Sequence, residues 1–164
     1  TVVVDSSVLI TLAAGEQFHL LREFYGVLYV PPTVWNEVTA VSKPFGTNEV
    51  KQAADSGWLI VQKPSRLEPV LALPFNLQAG ETEALALALE LPDALLLVDD
   101  TQGRRAAQAL RLAYTGTLGV LLRAKAEGKL AALRPVLTLL RNRTTFWLSD
   151  SVLHGALGQA GETD

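Results

Sequence analysis

The chain has 164 residues, with 14 Lys/Arg and 17 Asp/Glu for a formal charge of −3, no cysteine and two histidines. That length suits one domain with a proper buried core; no window approaches 18 uninterrupted apolar residues, so no membrane span is expected, and the start shows no basic, apolar leader. Zero cysteines exclude disulfides and thiolate metal sites, which fits a cytoplasmic protein, and His19 and His154 lack the spacing of a zinc site.

In chain order, Val2-Val3-Val4 reads as a buried strand that ends in Asp5, followed by Ser6-Ser7, which suits a helix start. An apolar helix follows through Val8–Ala13 and stops near Gly15, and Phe18, Leu20, Leu21 and Phe24 mark a second helix ended by Gly26. Val27–Val30 is a second strand. Pro31-Pro32-Thr33 opens a helix that carries Val34, Trp35, Glu37 and Val38. Residues 42–47 read as a loop, Asn48–Ser56 as a short helix ended by Gly57, and Trp58–Val61 as a strand at a sheet edge. Pro64, Pro69 and Pro74 make residues 63–78 an irregular connection with at most a short helix over 66–72.

The stretch from Ala79 to Arg105 organises the rest. Its ALALALEL core is apolar on nearly every face, which suits a helix sandwiched inside the protein. ALLLV, between Pro92-Asp93 and Asp99-Asp100, is too short for a helix and reads as a buried parallel strand. Residues 101–111 form a helix with Ala106, Ala107 and Leu110 inward, Leu112–Thr115 a strand, and Gly116–Gly119 a turn into a helix over Val120–Glu127. A helix over Leu130–Arg141, a strand at Phe146–Leu148 and a terminal helix capped by Asp150 or Ser151 complete the chain. Strands alternating with helices throughout indicate an α/β sandwich with a central, mainly parallel sheet.

In such sheets, sites form beyond the carboxyl ends of the strands. Asp5 and the Asp99-Asp100 pair lie at strand ends, Glu81 opens the sandwiched helix and Glu37 lies on the helix after the second strand. Each has a bland alternative: Asp5 as a helix cap, Glu81, Asp99 and Asp100 as compensation of a helix dipole, Glu37 as a surface residue. Glu83, two positions from Glu81, points away from it and reads as structural. The topology can gather the other acids at one edge of the sheet. The GTLG turn is too short for a phosphate cradle. Charge is also uneven. Residues 1–100 carry 5 Lys/Arg against 13 Asp/Glu, and residues 101–164 carry 9 against 4. An acidic half with a basic half beside it suits either a cation-bound site acting on a polyanion or ordinary solvated helix faces.

VVVDSSVLI, VPPTVWNEV, GETEALALALEL, LLLVDDTQGRR and YTGTLGVLLRAKAEGKL, in that order over about residues 1–145, resemble a PIN-domain protein of the branch found as toxins in prokaryotic toxin–antitoxin pairs. The resemblance implies a PIN-like three-layer sandwich: one domain over 1–164, with 130–164 as a C-terminal extension packing on it. It also implies a metal-dependent endoribonuclease with a Mg2+ or Mn2+ site of clustered acids. By position Asp5 matches the family's first-strand acid and Glu37 the acid after the second strand. Glu81 falls where many relatives have Asp. Relatives often end the strand before Asp99 with a threonine, any residue, then an acid, which places Val98 at the threonine and Asp100 at the acid. Asp99 is nonetheless the first carboxylate to leave that strand, and both are retained. Thr115 or Thr117 is the substitute for the missing threonine.

Phosphodiester hydrolysis concentrates negative charge at phosphorus, and a Mg2+ ion on hard oxygen ligands stabilises that charge and activates water. Asp5 and Asp99 or Asp100 are expected as direct or water-mediated ligands, Glu81 as a ligand or water-orienting base, and Glu37 as an acid behind them. Arg104 and Lys125 are expected to meet RNA phosphates. A small antitoxin covering the acidic cleft and a homodimer are the partners the resemblance implies. On the early helices the more exposed of Leu12, Phe18, Phe24 and Trp35 are offered as a groove for an amphipathic helix, with core packing the alternative, above all for Phe18 and Phe24. The competing readings are an idle PIN scaffold that binds RNA or protein, and another Mg2+-dependent phosphoryl-transfer α/β domain such as a response-regulator receiver.

Overall fold

Strand and helix alternate along the whole chain in the computed structural model, which describes residues 1–162; the last two residues of the expected 1–164 domain lie outside the described part. The order is β1 (Val2–Val4), α1 (Ser6–Ala14), α2 (His19–Tyr25), β2 (Leu28–Val30), α3 (Pro32–Thr39), α4 (Thr47–Asp55), β3 (Leu59–Val61), α5 (Glu68–Leu71) and α6 (Ala79–Glu90). Then come β4 (Leu95–Leu97), α7 (Thr101–Ala109), β5 (Ala113–Thr115), α8 (Thr117–Ala126), α9 (Leu133–Arg143) and α10 (Asp150–Gln159). The five strands form one all-parallel sheet in the order β3-β2-β1-β4-β5. The winding therefore reverses between β1 and β4, which run in register with Val4 opposite Leu97. Such a reversal opens a crevice at the carboxyl ends of the two strands.

Three layers follow from the period-2 alternation of side chains along buried strands. Val2, Val4 and Leu97 face a core shared with α1, α2, α8 and α9, whereas Val3, Leu96 and Val98 face a second core built with α6 and α7. The apolar character of α6 has the reason the pattern suggested. The helix lies against β1 and β4 on one side and against α3, α5 and α7 on the others, burying Ala84 through Ala88. β3 is an edge strand, with Ile60 and Val61 about two-fifths exposed.

Four local expectations are corrected. Phe146–Leu148 is not a strand: Phe146 and Leu148 pack on the helical core while Trp147 points to solvent, an in-out-in alternation made by an extended link between α9 and α10. GTLG is not a turn ahead of α8; Thr117 already starts the helix, with Gly116 as its N-cap residue. α9 begins at Leu133, after Ala132 in extended conformation, rather than at Leu130. α10 is capped by Ser149, whose Oγ accepts from the Val152 N–H at 3.2 Å, and neither Asp150 nor Ser151 caps it. Of the apolar residues offered to a partner, Leu12 and Phe18 are buried core, and Phe24 and Trp35 are half-buried against it.

Candidate metal centre

Asp5 follows β1 directly, and its backbone N–H donates to the Leu97 carbonyl of β4 at 3.0 Å, which places it at the reversal point. It occupies the N-cap position of α1, yet its side chain makes no capping bond. Among the described residues the one hydroxyl that reaches it is Ser7 Oγ, a long 3.5 Å from Oδ2, and Oδ1 is buried with no partner. Asp5 as a residue is 3 % exposed. Burial pushes its pKa from 3.8 up to about 6, with Glu37 and Asp99 adding like-charge repulsion and the Ser6 N–H and Ser7 opposing.

Glu81 sits in the first turn of α6. It forms a reciprocal cap with Gln78, whose N–H donates to Glu81 Oε1 at 3.2 Å, while Oε2 is buried and unpartnered. Burial, then the neighbouring Asp100, then Asp5 push its pKa from 4.5 up to about 8. Gly103, on the first turn of α7, clears the space beside it: a methyl group there would stand 3.1 Å from Glu81 Oε2 and 2.8 Å from Val98 Cγ2.

The two aspartates after β4 are held differently. Asp99 accepts from Thr117 twice, at 2.8 Å from its backbone N–H and 2.6 Å from its hydroxyl, so the N-terminus of α8 fixes the carboxylate where the helix dipole favours negative charge. Asp100 caps α7, accepting from the Gly103 N–H at 3.0 Å. Asp99 lies on the Asp5 side of the cluster and Asp100 on the Glu81 side, as the repulsions acting on Asp5 and Glu81 show. Of the two threonines considered as substitutes, Thr117 binds Asp99, and Thr115 lies with its hydroxyl over Gly119.

Glu37, from α3, accepts from Ser6 Oγ at 2.6 Å and lies over Gly80, where an added methyl group would stand 2.5 Å from Oε1. Burial, and less so repulsion from Glu37, raises the pKa of Glu83 against the opposing Thr33 N–H and Lys63. The acids gathered at this edge are thus Asp5, Glu37, Glu81, Asp99 and Asp100, with Glu83 behind Glu37. Among the described residues no three of the Asp, Glu or His side chains surround one point as a ready-made ligand cage.

Of the two cations expected at substrate, one is at the cluster. Arg104 donates through Nε to the Val98 carbonyl at 3.2 Å, and its Nη2 and Asp99 Oδ1 both line the space over Gly116, where a side-chain carbon would collide with each. Lys125 is elsewhere: eight residues along α8 from Thr117, about 12 Å of helix rise, its Nζ bonds the Ala131 carbonyl at 2.7 Å and pairs with Glu162 at 3.5 Å. The roles of Ser6 and the glycines at 80, 103 and 116 escaped the sequence reading, whereas Thr117 was one of the two threonines it offered. A threonine opening a helix after a short strand is the one local signal that pointed at Thr117; the glycines carry none, because what they clear comes from other elements.

Open parallel α/β sheets bind ligands in the crevice at the reversal point, and here the buried, unpartnered oxygens of Asp5 and Glu81 belong to the acids gathered there. A family model described as a PIN domain matches residues 1–162, and the chain belongs to that family. PIN domains are generally nucleases and typically use divalent metal ions. No curated protein matches the sequence. No helix among the described residues is long and apolar enough to cross a membrane.

Proposed function

We propose that the protein is a divalent-metal-dependent endoribonuclease, cytoplasmic, and the toxin-like member of a toxin–antitoxin pair. The observation that carries the catalytic reading is the pair of buried carboxylate oxygens without hydrogen-bond partners, Asp5 Oδ1 and Glu81 Oε2. A buried polar atom left unpaired costs free energy, and a cation relieves both the missing partner and the repulsion that raises the two pKa values. The donors are all carboxylate oxygens, which suits Mg2+ or Mn2+ and not a soft metal. Mg2+ is commonly held by one or two carboxylates while it keeps several waters, so the lack of a closed three-acid cage is compatible with it.

Asp5 and Glu81 would hold the ion, with Asp99 or Asp100 completing the set directly or through water. When bound, it supplies charge stabilisation at the phosphate and a water of lowered pKa. The chain's own residues do the rest. Thr117 fixes Asp99, Ser6 fixes Glu37, and Gly103 keeps Asp100 in place at the helix start. Arg104, anchored through Nε to Val98 with Nη2 beside Asp99, sets a guanidinium at the cluster that could also donate to a phosphate oxygen. Hydrolysis adds water across one P–O bond and leaves one phosphate end and one hydroxyl end.

The test is cleavage of an end-labelled single-stranded RNA by purified protein with Mn2+ or Mg2+ and with EDTA, alongside Glu81→Gln. Metal-dependent cleavage that falls at least a hundredfold in the variant is expected; equal activity in EDTA would remove the metal from the reading. The toxin role rests on the resemblance of the motifs to that branch. Growth inhibition on overexpression, relieved by an adjacent small gene, is the expected result, and harmless overexpression ends that role. The same resemblance implies a homodimer, which a concentration-independent monomer in light scattering refutes.

A further inference from the structure

Trp147 is 78 % exposed, although tryptophan carries one of the largest apolar surfaces of any side chain. It stands at the rim of a cavity of about 250 Å³ between α9 and α10, lined also by Phe146, Thr138, Arg134 and Arg141. Arg134, Thr138 and Arg141 are spaced four and three residues apart on α9, so they form one stripe along that helix. From Leu130 to Leu148 the chain carries three arginines and no acid; among the described residues Asp150, in the first turn of α10, is the one carboxylate lining the cavity. Arg141 at the end of α9 also suits the helix dipole, but the dipole gives no reason for an exposed indole beside it.

The patch is remote from the acids. Gly15, just past the end of α1, lies against Val136 and Leu140 of α9, and Arg143 donates to the Ala14 carbonyl at 2.9 Å. α9 therefore packs at the end of α1 opposite to Asp5. The acid cluster itself repels a polyanion, so affinity for a nucleic-acid strand has to come from elsewhere on the surface. An aromatic face beside a cation is an arrangement on which bases stack while phosphates are neutralised, and stacking accepts any base because every base has a π-face. Arg134 is already engaged, its Nη2 donating to the Glu162 carbonyl at 3.5 Å, so Arg141 carries the phosphate role.

We propose that the Trp147–Arg141 face of the α9–α10 cavity is an accessory binding site for single-stranded nucleic acid, which holds the RNA strand whose cleavage occurs at the distant acids. The site rests on the nuclease reading for its purpose, but its test does not use cleavage. Binding of a labelled 12-mer of uridylate, and of a matched deoxythymidylate, is followed by anisotropy in EDTA, with tryptophan fluorescence recorded in parallel. Both oligonucleotides are expected to bind comparably, since the site reads base faces and phosphates. Trp147→Ala is expected to weaken binding about tenfold, and Trp147→Phe to retain it while losing the fluorescence quenching. Arg141→Ala is expected to lower the slope of log affinity against log salt by about 0.7. Unchanged affinity in Trp147→Ala overturns the site. So does loss in that variant of self-association or of a protein partner while oligonucleotide binding stays intact, because the face then belongs to a protein. A wild type that binds through Trp147 yet never cleaves RNA leaves this site standing and removes the nuclease reading; one that cleaves while Trp147→Ala binds as tightly does the reverse.

Discussion

Asp5→Asn is predicted to make the metal-free protein more stable at neutral pH, the opposite of what loss of a buried, hydrogen-bonded group usually does. The Asp5 carboxyl is raised from 3.8 to about 6 by burial and by Glu37 and Asp99. The folded state therefore binds this proton more tightly than the unfolded chain does. Stability from this group is highest below pH 3.8 and is lost as pH rises through about 6. Above that pH the ionised carboxylate destabilises the fold by about 3 kcal/mol, and Asn removes the charge while keeping the shape. For a chain of this size that amounts to a rise of about 6–12 °C in Tm as an upper bound. Thermal unfolding of both proteins in EDTA between pH 4 and pH 8 tests it: the gap should be widest at pH 7–8 and close towards pH 4. Mn2+ at about a thousand times its Kd should then invert the order, since it stabilises the wild type by about 4.1 kcal/mol and finds one ligand fewer in the variant. A gap that does not change with pH, or a variant less stable than the wild type in EDTA at pH 7.5, refutes the electrostatic reasoning.

The remaining predictions concern the residues around the acids. Thr117→Val removes the hydroxyl bonded to Asp99 at 2.6 Å without changing the shape of a fully buried side chain; a loss of about 1.5–3 kcal/mol in urea unfolding is expected, together with weaker metal binding by titration calorimetry, and unaltered metal affinity would show that Asp99 is not positioned by Thr117. Gly116→Ala introduces no backbone strain, since φ is −136°, but puts a methyl group 2.5 Å from Asp99 Oδ1 and against the Arg104 guanidinium. Its nuclease activity should fall at least tenfold while Tm moves by only a few degrees, and wild-type activity would mean that Arg104 and Asp99 are not needed in their present places. Lys125→Ala should leave RNA cleavage unchanged and cost about 1 kcal/mol of stability through its lost bonds to Ala131 and Glu162; a drop in activity in salt-titrated assays would return Lys125 to the substrate.

The amino-acid sequence alone determined most of the elements and which acids stand at their ends. The apolar runs before Asp5 and Pro31 read as buried strands and the all-round apolar ALALALEL as an interior helix, so an α/β sandwich was legible from local chemistry, although the run between Pro69 and Pro74 turned out partly helical. Asp5, Glu81 and the Asp99-Asp100 pair were legible because they break apolar runs at element ends. What needed the tertiary structure was everything set by residues distant in sequence. Phe146–Leu148 carries the alternation of a strand, but which layer it lands on is decided by α9 and α10. Lys125 and Arg104 look alike in the chain; the length of α8 takes one away to Glu162, and the Val98 carbonyl keeps the other beside Asp99. The difference between Asp99, held by Thr117 eighteen residues on, and Asp100, spent on its own helix cap, is likewise invisible to a local pattern. Gly80, Gly103 and Gly116 matter through the side chains that approach them from other elements. Local periodicity reports only which side of an element is buried; which carboxylate meets which partner depends on strand order, and the reversal between β1 and β4 exists only once the sheet has formed.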